Sequence, residues 1–349
     1  MIETFREQVR AAAANGGKLR IRGCGTKDWY GQRIEGEILD TRGHTGIVDY
    51  EPTELVITAR CGTPLVEIEA VLAEQNQMLA FEPPHFGDNA TFGGAIAAGL
   101  SGPRRANSGA LRDFVLGAEL LDGKGELLRF GGQVMKNVAG YDVSRLLVGS
   151  LGTLGLITQA SVKVLPRPFA ETTLRFEIGE IDAIRKLNEW GGQPLPLSAS
   201  CWHAGVLALR LSGAQAAVDA AVKSLGGQVM PDCAAFWASL REQRHAYFDG
   251  DTPLWRLSLP STTGAIVLKG EQLIEWGGAQ RWLRAQSADA DAETIRRTVS
   301  AAGGHATLFR GGDKSVGVFQ PLAPAVARIH ARLKASFDPA HIFNPGRMV

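Results

Sequence analysis

The spacing of apolar residues predicts that helices and strands alternate along the whole chain. Residues 4–14 place apolar side chains four apart and predict a helix, which the glycines at positions 16 and 17 end. Alternating polar and apolar residues are typical of strands, and early in the chain they cover residues 18–22, 36–40 and 55–59. A helix is predicted over 63–75 with Thr63 as its N-cap. Residues 110–128 form two apolar strands around an Asp-Gly-Lys-Gly turn, which predicts a hairpin.

The middle of the chain alternates strands, helices and hairpins, which predicts an α+β, ferredoxin-like domain. Pro166 and Pro168 mark its start, and Pro321 marks the return. Its predicted strands are 172–178, 198–211 as a strand or hairpin, 228–230, 254–259, 265–268 and 305–309. Its predicted helices are 182–190, 215–225, 234–248 and 292–302, and a closing helix follows over 325–337.

Three glycine-rich segments interrupt this pattern. The first, 23–31, follows a strand and offers backbone N–H groups to a phosphate, but it lacks Rossmann spacing and no helix follows it. The second contains Gly93 and Gly94, which let the backbone lie against a ligand or a neighbouring element. The third has glycines at 149, 152 and 155, and it either approaches a flat or phosphorylated ligand or forms a turn between strands.

Composition narrows the classes of protein to which the chain can belong. Its 349 residues suggest two domains at about 150 residues per domain. A net charge of +1 without a Lys/Arg block argues against nucleic-acid binding. We expect no signal peptide and no transmembrane segment, because no apolar run approaches roughly 18 residues. Four separated cysteines without a CxxC motif argue against a zinc site or an iron–sulfur cluster in this chain and fit a reducing cytosol.

The glycine-rich segments and their neighbours also occur in an order that resembles a known family. The resemblance rests on RGCGT, EPTELVITARCGTPLVEIEAVLAEQ, FEPP, TFGGAIAAGLSGPRR, LRDFVLGAELLDGKGELLRFGG, KNVAGYDVSRLLVGSLGTLGLIT and DPAHIFNPGR. In this order they resemble the FAD-binding domain of the vanillyl-alcohol-oxidase-like flavoproteins, the PCMH-type fold. Within that family, VMKNVAGYDVSRLLVG and GGAQRWL are most similar to the branch of FAD-binding glycolate oxidase subunits.

The resemblance implies an α+β fold with three parts. Residues 1–168 would form a PCMH-type FAD-binding domain of two α+β subdomains, and 169–320 a ferredoxin-like cap on the substrate side. Residues 321–349 would return to the FAD domain. The loop 23–31 contains no flavin-linking His, so we expect non-covalent FAD. The implied cofactor-binding residues are Gly23, Cys24, Gly25, Thr26, Lys27, Asp28, Pro83, Gly93, Gly94, Ser101, Gly102, Gly149, Gly152, Gly155, Ile157 and Asn344.

The resemblance also implies an activity and partners. The expected reaction is oxidation of glycolate, a small 2-hydroxy acid, to glyoxylate with two electrons passing to FAD. A second FAD-binding subunit and an iron–sulfur subunit would carry the electrons onward. Such a complex would be cytoplasmic or held at the inner membrane through its partner subunits. The alternative is a non-catalytic FAD-binding or scaffold subunit. Related 2-hydroxy-acid dehydrogenases carry a paired-His metal site, whereas the seven His residues of this chain form no HxH motif and no metal site is predicted.

Four side chains are candidates for catalysis or substrate binding. Lys136 and Tyr141 lie beside the third glycine-rich segment, where a Lys either offsets charge on reduced flavin or is simply exposed. Arg105, after Arg104, either binds a carboxylate or lies in a solvated loop. Arg281, close to two Trp residues, either faces substrate or a partner or packs by cation–π contact.

Overall fold

The computed structural model describes residues 1–132, 142–285 and 292–348, and its helices and strands lie within these ranges. The strands are β1 (Leu19–Arg22), β2 (Glu37–Asp40), β3 (Ile47–Glu51), β4 (Val56–Arg60), β5 (Gln77–Met78), β6 (Val115–Leu121), β7 (Leu127–Gly131), β8 (Leu156–Lys163), β9 (Leu165–Pro166), β10 (Ala170–Glu177), β11 (Leu197–His203), β12 (Val206–Gly213), β13 (Gln228–Met230), β14 (Leu254–Ser258), β15 (Gly270–Glu275), β16 (Gln280–Ala285) and β17 (His305–Arg310). The helices are α1 (Ile2–Asn15), α2 (Leu65–Glu74), α3 (Phe92–Ala98), α4 (Arg105–Ser108), α5 (Leu111–Phe114), α6 (Val143–Leu147), α7 (Glu180–Gly191), α8 (Gln215–Leu225), α9 (Cys233–Arg241), α10 (Ala292–Ala301) and α11 (Pro324–Phe337). None of these helices is long and apolar enough to cross a membrane.

The chain divides into two compact units. The first unit comprises Met1–Leu100, Ala110–Pro166 and Pro321–Val349. The second comprises Ser101–Gly109 and Arg167–Gln320. The short segment 101–109 therefore belongs with the second unit, although the sequence places it inside the first predicted domain. The functional roles expected for the domains remain predictions.

The first unit contains an antiparallel five-stranded sheet in the order β3-β4-β8-β6-β7. Its β6–β7 pairing, with Leu121 opposite Leu127, confirms the predicted hairpin. Helices α2 and α3 contribute apolar residues to the core of this sheet, among them Ile68, Leu72 and Ile96. Burial of these faces stabilises the unit by about 25 cal/mol per Å² of apolar surface removed from water.

A second, smaller layer of the first unit joins the two ends of the chain. Strands β1 and β2 pair in parallel, and Leu19 of β1 also bridges Phe343 near the C-terminus. Phe5 and Val9 of α1 are buried against this layer, as their spacing predicts. The C-terminal segment thus completes the layer from which the first glycine-rich loop emerges.

The second unit is built on one antiparallel eight-stranded sheet in the order β13-β10-β12-β11-β15-β16-β14-β17. Its first four strands, numbered along the chain, lie in the order 4-1-3-2 and are connected by α7 and α8. The last four strands, numbered in the same way, have this order when they are read from the opposite edge of the sheet, and a loop over 259–269 stands where the first half has α7. The predicted ferredoxin-like arrangement is confirmed in the first half. The second strands of the two halves, β11 and β15, pair and join them into one sheet.

Two predicted boundaries in the first unit are wrong. The helix begins at Leu65 rather than at the predicted Thr63, whose hydroxyl instead accepts a hydrogen bond from the Gly46 N–H at 2.9 Å. The strand predicted from Leu55 begins one residue later, because Leu55 has a left-handed φ of 56°. The hydrogen bond of Thr63 to Gly46 and the positive φ of Leu55 are both invisible in the local hydrophobic pattern, so the pattern misplaced each boundary by one or two residues.

Two predicted elements of the second unit are also corrected. The helix predicted over 234–248 ends at Arg241, since Gln243 has a φ of 51°, and residues 246–248 form a separate 3₁₀ turn. The strand predicted over 265–268 is absent, and the strand of this region is Gly270–Glu275. In the loop before this strand, the carbonyls of residues 263 and 264 accept hydrogen bonds from the Arg281 side chain rather than from a neighbouring strand.

Candidate functional site: a glycine-lined pocket of the first unit

A pocket in the first unit brings together all three glycine-rich segments and the C-terminus. The space within it, which is open to solvent, is about 810 Å³. Its lining comes from the end of β1 and the loop after it, from α3, from the loop before β8 and from the C-terminal segment. The lining residues are Ile21, Arg22, Gly23, Cys24, Gly25, Thr26, Lys27, Asp28, Ile34, Thr41, Cys61, Thr91, Gly93, Gly94, Ala97, Ala98, Leu151, Gly152, Gly155, Leu156, Ile157, Asn344 and Arg347.

The charged side chains of this lining are three cations and one anion. Asp28 holds the first loop closed, because its carboxylate accepts hydrogen bonds from Arg22 Nε at 2.7 Å and from Arg20 Nη2. The Lys27 ammonium donates to the carbonyl of His85 at 3.1 Å. Since Asp28 offsets only one of the cations that line the pocket, the lining favours an anionic ligand.

Arg347 contributes a buried cation at the end of the chain. Its guanidinium donates to the carbonyl of Lys27 at 3.1 Å and to that of Gln32 at 3.2 Å. Burial lowers the pKa of Arg347 to about 10, a value that still leaves the side chain charged at neutral pH. Through these two hydrogen bonds, Arg347 holds the backbone of the first glycine-rich loop in place.

The glycines of the second segment have two different roles. A Cβ at Gly93 would lie 2.5 Å from the Cβ of Cys61, so Gly93 is needed for packing of α3 against the end of β4. Among the described residues, a Cβ at Gly94 would meet only one atom within 4 Å, Thr91 Oγ1 at 3.0 Å. Thr91 caps α3 by accepting the Gly94 N–H at 3.3 Å. Gly94 therefore leaves its side of the pocket open to a ligand.

Asn344 ties β1, the strand that leads into the first glycine-rich loop, to the third glycine-rich segment. Its Oδ1 accepts the N–H of Ile21 at 2.9 Å, and its Nδ2 donates to the carbonyl of Leu151 at 2.6 Å. A Cβ at Gly152 would lie 2.7 Å from the same Nδ2. Because both ends of the amide are used by the backbone, Asn344 acts in this structure as a clamp between two walls of the pocket.

A buried ion pair holds the C-terminal segment behind that clamp. The Lys334 ammonium donates to the carbonyls of Thr153 at 2.6 Å and Phe343 at 2.8 Å, and it pairs with Asp338. Asp338 is fully buried and accepts the N–H of Phe343 at 2.8 Å and that of Ile342 at 3.1 Å. Burial lowers the pKa of Lys334, while its pairing with Asp338 opposes the shift.

Most of the residues that the resemblance implies for cofactor binding line this pocket. Those that do so are Gly23, Cys24, Gly25, Thr26, Lys27, Asp28, Gly93, Gly94, Gly152, Gly155, Ile157 and Asn344. Pro83 and Gly149 belong to the same unit but are not part of the lining, and Gly149 instead donates its N–H to Ile96 of α3 at 3.0 Å. Ser101 and Gly102 belong to the second unit.

Sequence reasoning missed several lining residues that carry side chains. Arg22 and Thr91 flank predicted segments, so extending each segment by one or two residues would have found them. Arg347 lies three residues after Asn344, but nothing in its local sequence marks it as part of a site. Cys61 is buried, and burial raises the pKa of its thiol to about 12, so this cysteine packs as an apolar side chain.

Lys136 and Tyr141, two of the four candidates for substrate chemistry, lie outside the described residues. Arg104 and Arg105 lie in the short segment 101–109 of the second unit, where α4 begins. Arg104 is buried and pairs with Glu171 at 2.7 Å, while the Arg105 guanidinium lies 4.4 Å from the ring centre of Trp276. In the described ranges, no group of three or more His, Cys, Asp or Glu residues is placed to hold a metal ion.

Arg281 is fully buried, and its guanidinium faces backbone carbonyls of the second unit. It donates to the carbonyls of Gly264 at 2.8 Å and Thr263, and its nearest carboxylate oxygen, on Glu180, lies 3.9 Å away. Burial lowers the pKa of Arg281 and raises the pKa of Glu180. These contacts favour the packing interpretation of Arg281 over substrate binding.

The pocket fits FAD on its own chemistry. Its cations Arg22, Lys27 and Arg347 suit the diphosphate, and the open face at Gly94 admits close approach of a flat ring. The strand–loop–strand around residues 23–28 provides the glycine-rich turn in which backbone N–H groups can face phosphate oxygens.

Comparisons with known proteins agree with this fit. A family model described as "FAD binding domain" matches residues 2–131. The glycolate oxidase subunit GlcE of Escherichia coli (strain K12) is 51% identical over 342 residues, which cover 98% of this chain and 95% of that protein. The glycolate oxidase subunit GlcD of Bacillus subtilis (strain 168) is 36% identical over 138 residues, 39% of this chain and 29% of that protein.

A solved structure confirms the predicted fold class. The structure of p-cresol methylhydroxylase with substrate bound aligns with a TM-score of 0.76 over 99% of this chain and 87% of that chain, at 15% sequence identity. The PCMH-type α+β fold is therefore confirmed, and the matching FAD-binding family model together with the 51% identical glycolate oxidase subunit supports FAD as the cofactor. Since the likeness to the Escherichia coli protein extends over nearly the full length of both chains, this chain belongs to the family of glycolate oxidase subunit GlcE.

Proposed function

We propose that this chain is the FAD-binding subunit of a complex that oxidises glycolate to glyoxylate, or a closely similar 2-hydroxy acid to its corresponding 2-oxo acid. The observation that carries the proposal is the pocket of the first unit, in a chain 51% identical to a glycolate oxidase subunit over almost its whole length. Bound FAD supplies the redox chemistry by accepting two electrons from the substrate. The partners we propose are a second FAD-binding subunit and an iron–sulfur subunit.

The residues of the pocket have distinct proposed roles in holding FAD non-covalently. Arg22 and Lys27 neutralise the diphosphate, while Asp28 keeps Arg22 oriented through the 2.7 Å hydrogen bond. Gly94 leaves space for the cofactor, and Asn344 keeps the two loops at a fixed separation. A pocket braced in this way before the ligand arrives loses less conformational entropy on binding.

A second candidate function is a non-catalytic FAD-binding subunit that relays electrons or stabilises the complex. The burial of Arg281 under backbone carbonyls favours it, because this removes one of the four side chains considered for substrate binding. Arg105, stacked on Trp276, remains the candidate for a carboxylate contact within the described part of the chain. We propose a cytoplasmic location, with any attachment to the inner membrane made through partner subunits.

The test begins with FAD titration of the purified apo chain, followed by flavin absorbance. We expect FAD to bind and to be released by acid precipitation, as non-covalent binding requires. The variant Gly94→Val should weaken FAD binding at least tenfold, about 1.4 kcal/mol, because its side chain enters the ligand space. The matched control Gly191→Ala, at an exposed helix end with nothing within 4 Å of the added Cβ, should bind FAD like the parent chain.

Anaerobic glycolate then separates the two candidate functions. Bleaching of the flavin in the isolated chain would support a substrate site of its own. An unchanged spectrum that bleaches only when the partner subunits are added would support the non-catalytic role. Failure of the wild-type chain to bind FAD, or equal binding by Gly94→Val, would refute the assignment of this pocket.

A further inference from the structure

Helix α11 is the one long helix among the described residues without a buried side chain. It runs from Pro324 to Phe337, and every residue from 321 to 332 is exposed. Isolated helices of this length are marginal in water, and most helices in proteins are stabilised by packing of an apolar face. A helix that is formed but uncovered therefore raises the question of what packs against it.

The uncovered surface of α11 contains a regular apolar stripe. Within the helix, Val326 and Ile329 are 40% and 57% exposed, and their spacing of three residues places them on one face. Leu322, 37% exposed, lies two residues before the helix begins. Leu333 continues the line, half-buried, where the helix meets the body of the first unit. Val326, Ile329 and Leu333 thus form a short apolar stripe at helical spacing, the kind of surface that docks into a groove.

The charge of α11 is of one sign. Arg328 and Arg332 are exposed, one helical turn apart, and flank the apolar stripe. No Asp or Glu occurs between Lys314 and Phe337. The chemistry that complements this surface is an apolar groove whose rim carries carboxylates.

The base of α11 is held firmly, although its first two turns are exposed. The ring of Phe337 packs against that of Phe130 with 6.1 Å between the ring centres, and Lys334 joins the helix to the loop at Thr153. A rigidly based helix presents its stripe at a fixed angle, which reduces the entropy lost when a partner binds.

We propose that the exposed face of α11, formed by Val326, Arg328, Ile329 and Arg332, docks into an acidic-rimmed apolar groove on a partner subunit of the complex. This inference rests on the proposed function, which requires such partners. A second copy of this chain is a poorer occupant, because two helices that carry only cations would repel each other. A bilayer is also poorer, since the stripe lacks the exposed Trp or Phe of membrane-binding helices.

The experiment measures assembly of the FAD-loaded full chain with the two proposed partner subunits from the same source. Ile329→Asp and the double variant Arg328→Glu/Arg332→Glu should each weaken assembly at least tenfold. The controls are Ile181→Asp, an isoleucine of α7 that is 70% exposed, and Arg297→Glu on the exposed side of α10. Both controls should assemble within about twofold of wild type. FAD affinity and circular dichroism should be unchanged in every variant.

Each other outcome overturns the proposal in a distinguishable way. Equal assembly by all variants refutes docking through α11 but leaves the proposed function intact. Wild-type chain that assembles with neither subunit refutes the proposed partners and, with them, this inference. Binding to phosphatidylglycerol vesicles that Ile329→Asp abolishes, with assembly unchanged, identifies a bilayer as the occupant. A homodimer in sedimentation that the same variant dissociates identifies a second copy.

Discussion

Replacement of Asn344 by Ala tests whether the pocket depends on a clamp formed far away in sequence. The amide of Asn344 holds the N–H of Ile21 at 2.9 Å and the carbonyl of Leu151 at 2.6 Å, and the side chain is buried. The residue also has a left-handed φ of 39°, which Asn tolerates better than Ala. The substitution therefore removes two hydrogen bonds and adds backbone strain.

The expected cost of Asn344→Ala follows from these contacts. Each lost hydrogen bond contributes about 1 kcal/mol, and leaving its buried backbone partner unsatisfied raises the total loss to about 2–4 kcal/mol. The left-handed backbone adds about 1 kcal/mol for Ala. We therefore expect the free energy of unfolding of the first unit to fall by about 3–5 kcal/mol. Asn344→Gly, which avoids the strain, should cost about 1 kcal/mol less.

The assay is urea unfolding followed by circular dichroism, together with FAD titration of the folded protein. FAD affinity of Asn344→Ala should fall at least tenfold, because the two loops lose their fixed separation. His341→Ala is the matched control, since His341 is exposed in the same segment with a φ of 52°, and it should cost about 1 kcal/mol or less. A loss below 1 kcal/mol for Asn344→Ala, with normal FAD affinity, would refute the clamp.

Three further substitutions test other parts of the structure. Gly93→Ala should destabilise the first unit by about 1–3 kcal/mol in urea unfolding, because its Cβ would lie 2.5 Å from that of Cys61, and a neutral effect would contradict this packing. Arg281→Met should lower the stability of the second unit by about 3–5 kcal/mol and leave FAD affinity unchanged, whereas a stable variant with only a raised KM for glycolate would restore the substrate interpretation. His44 and His245 both have a pKa below the usual value for histidine. Burial is the main cause, and the nearby charge of Arg60 adds to it for His44 and that of His203 for His245. The unfolded state therefore binds protons more readily than the folded state. Stability should therefore fall as the pH drops below about 6.5 and level off below the folded pKa values, and the slope in urea unfolding between pH 8 and 5 should flatten in His44→Gln/His245→Gln; an unchanged slope would contradict it.

Local patterns in the sequence were enough to predict many of the helices and strands and the glycine-rich segments of the pocket. Helix 215–225 and strand 228–230 were predicted with the bounds that the structure has, because their periodicity and flanking glycines depend on residues a few positions apart. The glycine-rich segments around Gly23, Gly93 and Gly152 were recognisable for a similar reason. Where a Cβ would clash, the position must be glycine, and a glycine can be read directly from the sequence.

Which residues act together is visible only in the folded chain. Asn344 is hydrogen-bonded to Ile21, 323 positions away in the sequence, and Arg347 is hydrogen-bonded to Lys27, 320 positions away. A pattern that spans only a few residues cannot predict either contact. The role of Arg281 could not be decided from the sequence either, because its position near two Trp residues was compatible with substrate binding, with a partner contact and with packing. Its burial under the carbonyls of residues 263 and 264 favours packing, because a buried guanidinium needs hydrogen-bond acceptors and the folded chain supplies them there.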